Sequence, residues 1–369
     1  MDSGLTFDHA EGCQAIDGTA GKKNDQGNYE CEVLLEGAES GKLWETCVKN
    51  PGHVAFIPAQ QFSLEHLPGD YQDTELLDFV HKFADRAVRL VVNYTSMARP
   101  DGFIFSNHRG TTTPHTGSGF MTCRIWPTVN EDEKQKSENK SDSDNDSGDD
   151  DDFEIIESFD LNQLCPCPEC SESDDPNYGW GYVYVETSRH VVFDDEEAKN
   201  TVIYYNYTDE FEFQKLYGIK ISWSVETKDW CTLECVTHDR ELYAKLYNSQ
   251  QQIDDQYLEI NEKYWQSPSR LAIIFSHPHG YAKRITVGQW VERRVTFTDH
   301  LNGDIETTYT YNNATCSGSS GAPVLIFGKR GDDDNKVWWQ GHFHAHGGWM
   351  DKDTNFSGIS DERIVELED

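Results

Sequence analysis

The segment Thr315-Cys316-Ser317-Gly318-Ser319-Ser320-Gly321-Ala322-Pro323-Val324 holds the residues best suited to chemistry in this chain. A serine becomes a nucleophile where a tight turn exposes its oxygen and nearby N–H groups point at the developing oxyanion. The run Gly318-x-Ser320-Gly321-x-Pro323, ahead of apolar Val324-Leu325-Ile326-Phe327, permits such a turn before a strand. A Gly/Ser-rich turn before a strand also occurs without catalysis. Two other clusters carry potential ligands. Cys165, Cys167 and Cys170 lie at a spacing at which thiolates can bind zinc, but a structural site wants four ligands and no second cysteine pair follows at ordinary spacing. A disordered or redox-sensitive loop is therefore expected there. His342, His344 and His346 alternate as on one face of a strand, without a carboxylate motif to complete a metal site. No cofactor is expected.

These residues must be positioned mainly by strands. Short alternating, β-branched and aromatic runs recur at Gly119–Trp126, Gly181–Val185, Thr201–Tyr205, Lys220–Val225, Leu271–Phe275 and Arg294–Phe297, punctuated by Gly, Pro and Asp. They predict an antiparallel barrel or sandwich. The best helix candidate is Thr74–Val92, where Leu76, Leu77, Phe79, Val80, Phe83, Ala87, Val88 and Val91 recur at helical spacing. A short helix is expected over Tyr257–Trp265.

Composition narrows the partners. Of 369 residues, 66 are acidic and 31 are Lys or Arg, a formal net charge of −35. Nucleic acid and anionic membrane both require basic patches, so neither is an expected partner. No run approaches a membrane span, and the N-terminus Met1–Asp8 shows no signal peptide, so an intracellular protein with reduced cysteines is expected. Residues 130–160 hold 14 acidic against 3 basic side chains and read as a solvated insertion. Within it, Ser143 and Ser147 each precede an acid by three residues, a context that suits acidophilic kinases.

The nucleophile segment resembles that of the trypsin/chymotrypsin-like serine proteases (the PA clan). That family places a histidine after a strand in a Thr-Ala-Ala-His-like turn, and Tyr182-Val183-Tyr184-Val185-Glu186-Thr187-Ser188-Arg189-His190 is similar. It then carries an aspartate heading an Asp-x-Ala-Leu-Leu-like strand, and Asp229-Trp230-Cys231-Thr232-Leu233 is similar. The order His, Asp, Ser is the chymotrypsin order. Thr116-Gly117-Ser118-Gly119-Phe120 resembles the strand opening the barrel in the HtrA/Deg branch. His277-Pro278-His279-Gly280 through Gly288 resembles the segment that precedes the nucleophile there. The resemblance covers about residues 85–350.

The resemblance implies a mostly β, chymotrypsin-like double six-stranded antiparallel barrel in a serine endopeptidase. Ser320 would attack the scissile carbonyl, His190 would carry the proton, and Asp229 would orient His190, with Asp239 the rival acid. The N–H groups of Gly318 and Ser320 would form the oxyanion hole. Val191 stands where secreted members carry a cysteine, no cysteine follows Cys316, and Ser319 replaces the aspartate of zymogen-activated enzymes. An intracellular protease without a trypsin-type switch is expected. The strand Gly341–Gly348 resembles that of glutamyl endopeptidases and picornaviral chymotrypsin-like proteases, in which a Thr and a His accept Glu or Gln. Thr315 and His344 are the counterparts, with His342 an open alternative. A charge of −35 argues for an uncharged Gln, or a Glu held by a charged local His.

The expected layout is an N-terminal extension over 1–84 with a helix near 74–92, a protease domain over 85–350 with an acidic disordered insertion at about 130–176, and an acidic tail over 351–369, too short for a PDZ domain. The partner would be a protein or peptide substrate. A non-catalytic trypsin-like scaffold acting as a binding protein, and an acidic metal-binding protein, are the rival readings.

Overall fold

A computed structural model describes residues 27–34, 41–123, 160–208, 213–299, 304–330, 336–338, 342–348 and 353–365. The acidic run around Ser143 and Ser147 lies outside the described residues. The strands are β1 Gly27–Tyr29, β2 Glu32–Val33, β3 Ile57–Pro58, β4 Ala87–Val92, β5 His115–Thr122, β6 Asp160–Leu164, β7 Tyr178–Ser188, β8 Thr201–Tyr205, β9 Gln214–Val225 and β10 Trp230–Thr237. They continue with β11 Leu271–Ser276, β12 Arg284–Gly288, β13 Trp290–Asp299, β14 Asp304–Tyr311, β15 Pro323–Phe327, β16 Lys336–Trp338, β17 His342–Gly348, β18 Asn355–Ser357 and β19 Ser360–Val365. The helices are α1 Gly41–Glu45, α2 Thr74–Asp85, α3 Pro168–Ser171, α4 Asp195–Lys199 and α5 Arg240–Tyr264.

Two closed rings of antiparallel pairings result. In the first, β5, β4, β8, β9, β10 and β7 pair in succession, and β7 returns to β5. Leu90, Met121, Val185, Ile203, Leu216 and Leu233 fill it from alternating inward positions. In the second, β12 and β13 are separated by Gln289 alone and act as one bent strand. That strand joins β11 to β14, and β18, β17 and β15 complete the circuit back to β11. Ile274, Trp290, Tyr309, Tyr311, Val324 and Ile326 fill this barrel, and Trp290 Nε1 satisfies its only donor on Phe327 O at 2.8 Å. The expected double barrel is the observed architecture.

Several boundaries differ from the sequence reading. The helix expected over 74–92 ends at Asp85, and residues 87–92 form β4 with every residue buried. A continuous apolar run gives no periodicity that separates a buried strand from a helix. The short helix expected over 257–265 is the end of α5, which has 25 residues. Its buried positions Leu242, Leu246, Ile253, Tyr257, Ile260 and Tyr264 keep helical spacing, but the polar stretch Asn248–Gln252 hides it. With α2, this helix covers the outside of the second barrel, burying Leu76 and Phe79 against Tyr257 and Phe327.

The acidic tail expected over 351–369 carries β18 and β19, so its residues 355–365 complete the second sheet. Glu362 is fully buried there because Arg293 and the Tyr309 hydroxyl bond to its carboxylate. The end of the supposed disordered insertion is also folded, since β6 pairs with β7 and Cys165, Cys167 and Cys170 are buried. The N-terminal extension is not separate from the barrels: β1 pairs with β17 of one and β2 with β5 of the other. No helix among the described residues is long and apolar enough to cross a membrane.

Candidate active site

His190 follows β7 and Asp229 precedes β10, so the antiparallel pairing of these strands brings the two together. His190 Nδ1 lies 2.5 Å from Asp229 Oδ2, and His190 N donates to Asp229 Oδ1 at 3.0 Å. Asp229 sits at φ 53°, a left-handed value that few non-glycine residues adopt. The turn bearing His190 is held from behind by the buried Arg99, whose guanidinium donates to His190 O at 3.1 Å while forming a two-pronged pair with Glu197. Asp239, the rival acid, instead caps α5 by accepting from Leu242 N at 3.0 Å.

Ser320 lies on a turn gripped by both barrels. Its carbonyl accepts from Ser118 N at 2.8 Å, and Gly321 N donates to His344 O at 2.8 Å. Gly318, at φ +92°, could carry no side chain, because a Cβ would meet His277 O at 2.6 Å. The N–H groups of Gly318 and Ser320 converge on a single acceptor, the carbonyl oxygen of Glu30, at 2.7 and 3.0 Å. Ser320 Oγ accepts from Glu30 N at 2.9 Å and donates to Ala345 O at 3.0 Å. His190 Nε2 is buried without a hydrogen-bond partner. His190 and Asp229 are therefore joined, whereas the Ser320 hydroxyl is engaged elsewhere.

Glu30 also accounts for the neighbouring pocket. Its carboxylate accepts from Lys49 Nζ and lies 2.6 Å from His344 Nε2. Burial alone would raise the Glu30 carboxyl, but Lys49 and His344 outweigh it and hold the group well below the usual carboxylate range. Burial lowers the His344 imidazole, which suits a neutral ring whose Nδ1 accepts from the Tyr311 hydroxyl at 2.8 Å and whose Nε2–H donates to Glu30. Lys49 therefore supplies the balancing cation. It also donates to Thr315 Oγ1 at 2.9 Å and Asn355 Oδ1 at 2.8 Å. Thr315 reaches the pocket through Lys49. His342 is also buried, beside Thr307, Ser357 and Glu362, and does not reach Glu30.

The flanking residues of Glu30 lie extended across the site. Tyr29 packs its ring against His190, tilted by 31° with centroids 4.0 Å apart. Lys49, Tyr311, Asn355 and the occupant Glu30 were not legible as site residues, because each comes from a remote part of the chain with no motif of its own. Lys49, half-buried, places a cation at this pocket.

Two rings of strands, with these groups at their junction, decide the architecture. The fold is that of the trypsin/chymotrypsin-like serine proteases. Among solved structures, the chain is similar to the active form of the Rv3671c protease from M. tuberculosis, at 13% identity over 78% of this chain and 82% of that one, with a TM-score of 0.33. It is similar to the HtrA-type protease AlgW with decapeptide, at 10% identity over 77% and 63% of the two chains and a TM-score of 0.35. For Deg5 the values are 13% identity, 70% and 81%, and 0.32. No protein-family model and no curated protein matches the chain.

Among the described residues, two further groups of side chains cluster with metal-ligand chemistry: Cys165, Cys167 and Cys170 with His238, and Cys47, His53, His279 and Cys316. The first corrects the expectation of a loop short of ligands, since the fourth ligand arrives from the end of β10.

Proposed function

We propose that this protein is a serine endopeptidase that cuts after Glu, and that its own Glu30 occupies the cleft as a resident inhibitor. The observation that carries the reading is the double role of Glu30. Its carbonyl takes both N–H donors beside Ser320, while its carboxylate meets Lys49 and His344 in the adjacent pocket. A substrate residue preceding the cut would satisfy the same two requirements.

In the proposed reaction, Ser320 Oγ adds to the substrate carbonyl carbon as His190 Nε2 takes its proton. Asp229 keeps Nδ1 protonated and stabilises the imidazolium. The Gly318 and Ser320 N–H groups hold the oxyanion, where losing one donor typically costs about 10²–10³ in rate. His190 then protonates the leaving amine, and water releases the acyl group by the same path. With Glu30 in place, the Ser320 hydroxyl donates to Ala345 O and its oxygen is taken by Glu30 N–H. It cannot at once give its proton to His190. That arrangement supports inhibition rather than cleavage at Glu30.

A fluorophosphonate probe applied to the full chain, beside Ser320→Ala, tests the reading together with a peptide-library profile. Ser320-dependent labelling and a Glu preference are expected. Absence of such labelling, even after Glu30→Ala, would leave the binding-scaffold reading, which the engaged Ser320 hydroxyl also favours.

A further inference from the structure

We propose that the chain is a zinc protein in which each of the two Cys/His tetrads holds one structural Zn²⁺, and that the ion on Cys47, His53, His279 and Cys316 builds a wall of the substrate pocket. Zinc binding itself does not require the chain to be an enzyme; only the name substrate pocket rests on the proposed function.

In each tetrad the four ligand atoms lie within 4.8 Å of one another. A tetrahedral zinc with Zn–S of about 2.3 Å and Zn–N of about 2.0–2.1 Å sets S···S edges near 3.8 Å and S···N edges near 3.6 Å. Cys47 Sγ and Cys316 Sγ are 3.5 Å apart, and Cys316 Sγ lies 3.6 Å from His53 Nε2. The three sulfurs of Cys165, Cys167 and Cys170 stand 3.6, 3.8 and 3.6 Å from His238 Nδ1. The Cys165 set packs beside Trp180 and Val236, which close it off from solvent.

The surroundings are those a metal needs. His279 Nδ1 lies 3.0 Å from Glu32 Oε2, which leaves Nε2 buried and without a hydrogen-bond partner. A carboxylate on the remote nitrogen is the usual support of a zinc-bound imidazole. Asn50 Nδ2 donates to Cys316 Sγ at 3.1 Å and Asn50 N to Cys47 Sγ at 3.4 Å, while Asn177 N donates to Cys170 Sγ at 3.5 Å. Such N–H donors suit thiolates. His53 and His279 both hold left-handed φ values, 49° and 55°, a strain that persists only where something over-determines the backbone. Cys₂His₂ and Cys₃His are the usual ligand sets of structural zinc.

The consequence for the pocket follows from the chain. Cys47 and His53 bracket Lys49 and Asn50, and Asn50 Nδ2 also donates to Thr315 O at 2.8 Å. Cys316 and His279 fix the opposite side, where His279 N donates to Ser317 O. An ion joining all four pins the Lys49 segment to the nucleophile turn.

The test uses the full chain purified under reducing conditions. Elemental analysis should give two zinc per chain, and titration of the wild type with an organomercurial should release both to a zinc-sensitive dye. Cys47→Ser and Cys170→Ser should each retain one equivalent. Cobalt loaded into each variant should give thiolate-to-metal bands, stronger for the S₃N set left in Cys47→Ser. The wild-type release needs no variant to fold. Zinc-free protein that takes up no added zinc, or a Cys47–Cys316 disulfide under these conditions, would overturn the proposal.

Discussion

If Glu30 is a cis-acting occupant, removing its side chain should change one kinetic constant and leave the other alone. In Glu30→Ala the charge-assisted contacts to Lys49 and His344 disappear, while the backbone bonds of residue 30 to Gly318 and Ser320 remain. Hydrogen bonds to charged groups contribute about 1.5–3 kcal/mol each. Lys49 keeps Thr315 and Asn355 as acceptors, so the lower end applies, about 3 kcal/mol for the two contacts together. That shifts the closed-to-open ratio roughly 150-fold at 1.4 kcal/mol per tenfold. A competing segment reduces the apparent affinity of an incoming substrate by the open fraction and leaves the saturated rate intact. Hydrolysis of a short fluorogenic Glu peptide should therefore show KM falling by about 10²-fold with kcat unchanged. An unchanged KM would refute the occlusion argument. So would wild-type protein whose intact mass shows cleavage between Glu30 and Cys31, although that outcome would preserve the preference for Glu.

Three further outcomes follow from the same geometry. Lys49→Met should lower kcat/KM for Glu peptides relative to Gln peptides by roughly 10–150-fold, since one charge-assisted bond is lost; equal losses for both would place the cation outside recognition. Arg99→Ala leaves Glu197 buried and uncompensated and frees the His190 turn, so chemical denaturation should report a loss of about 3–5 kcal/mol. Glu186 is buried and its carboxyl is pushed up to about 8, first by desolvation and then by Asp254. Its unfolded form ionises near the ordinary value of 4.5, so stability is complete below that pH and falls as pH rises toward 8. The slope from this group approaches 1.36 kcal/mol per pH unit; Glu186→Gln should lack it, so the wild-type-minus-variant stability difference should fall with that slope as pH rises toward 8, and a flat difference would refute the assignment.

What the sequence discloses is mostly local. The glycines at 318 and 321 mark a turn that only φ > 0 permits, and the stretches ending at His190 and beginning at Asp229 are strand ends in register. The resemblance to a known protease pattern orders them as His, Asp and Ser. The hidden parts are long-range pairings. His238 meets a cysteine cluster some 70 residues earlier, and His344 meets Glu30 across 314 positions. No window along the chain contains both partners. Helix α5 was obscured by its glutamines, and β4 by uniform burial, because periodicity reports only half-buried elements.

Residues 27–34 form a strap, with β1 on one barrel and β2 on the other. This placement has a consequence in time. At 5–20 residues per second, roughly 15–60 s separate the synthesis of Glu30 from that of His344. The strap has no complete berth until β17 exists, so it cannot finish docking before that strand is synthesised. If the barrels close before the strap docks, a newly finished molecule passes through an interval with the cleft still vacant. The length of that interval is set by the search of a short tethered segment for its groove, a step far faster than forming the long-range sheets. Slowing that search, by lengthening the stretch between Leu34 and Gly41, would prolong the exposure of Ser320 without altering a single residue that lines the site.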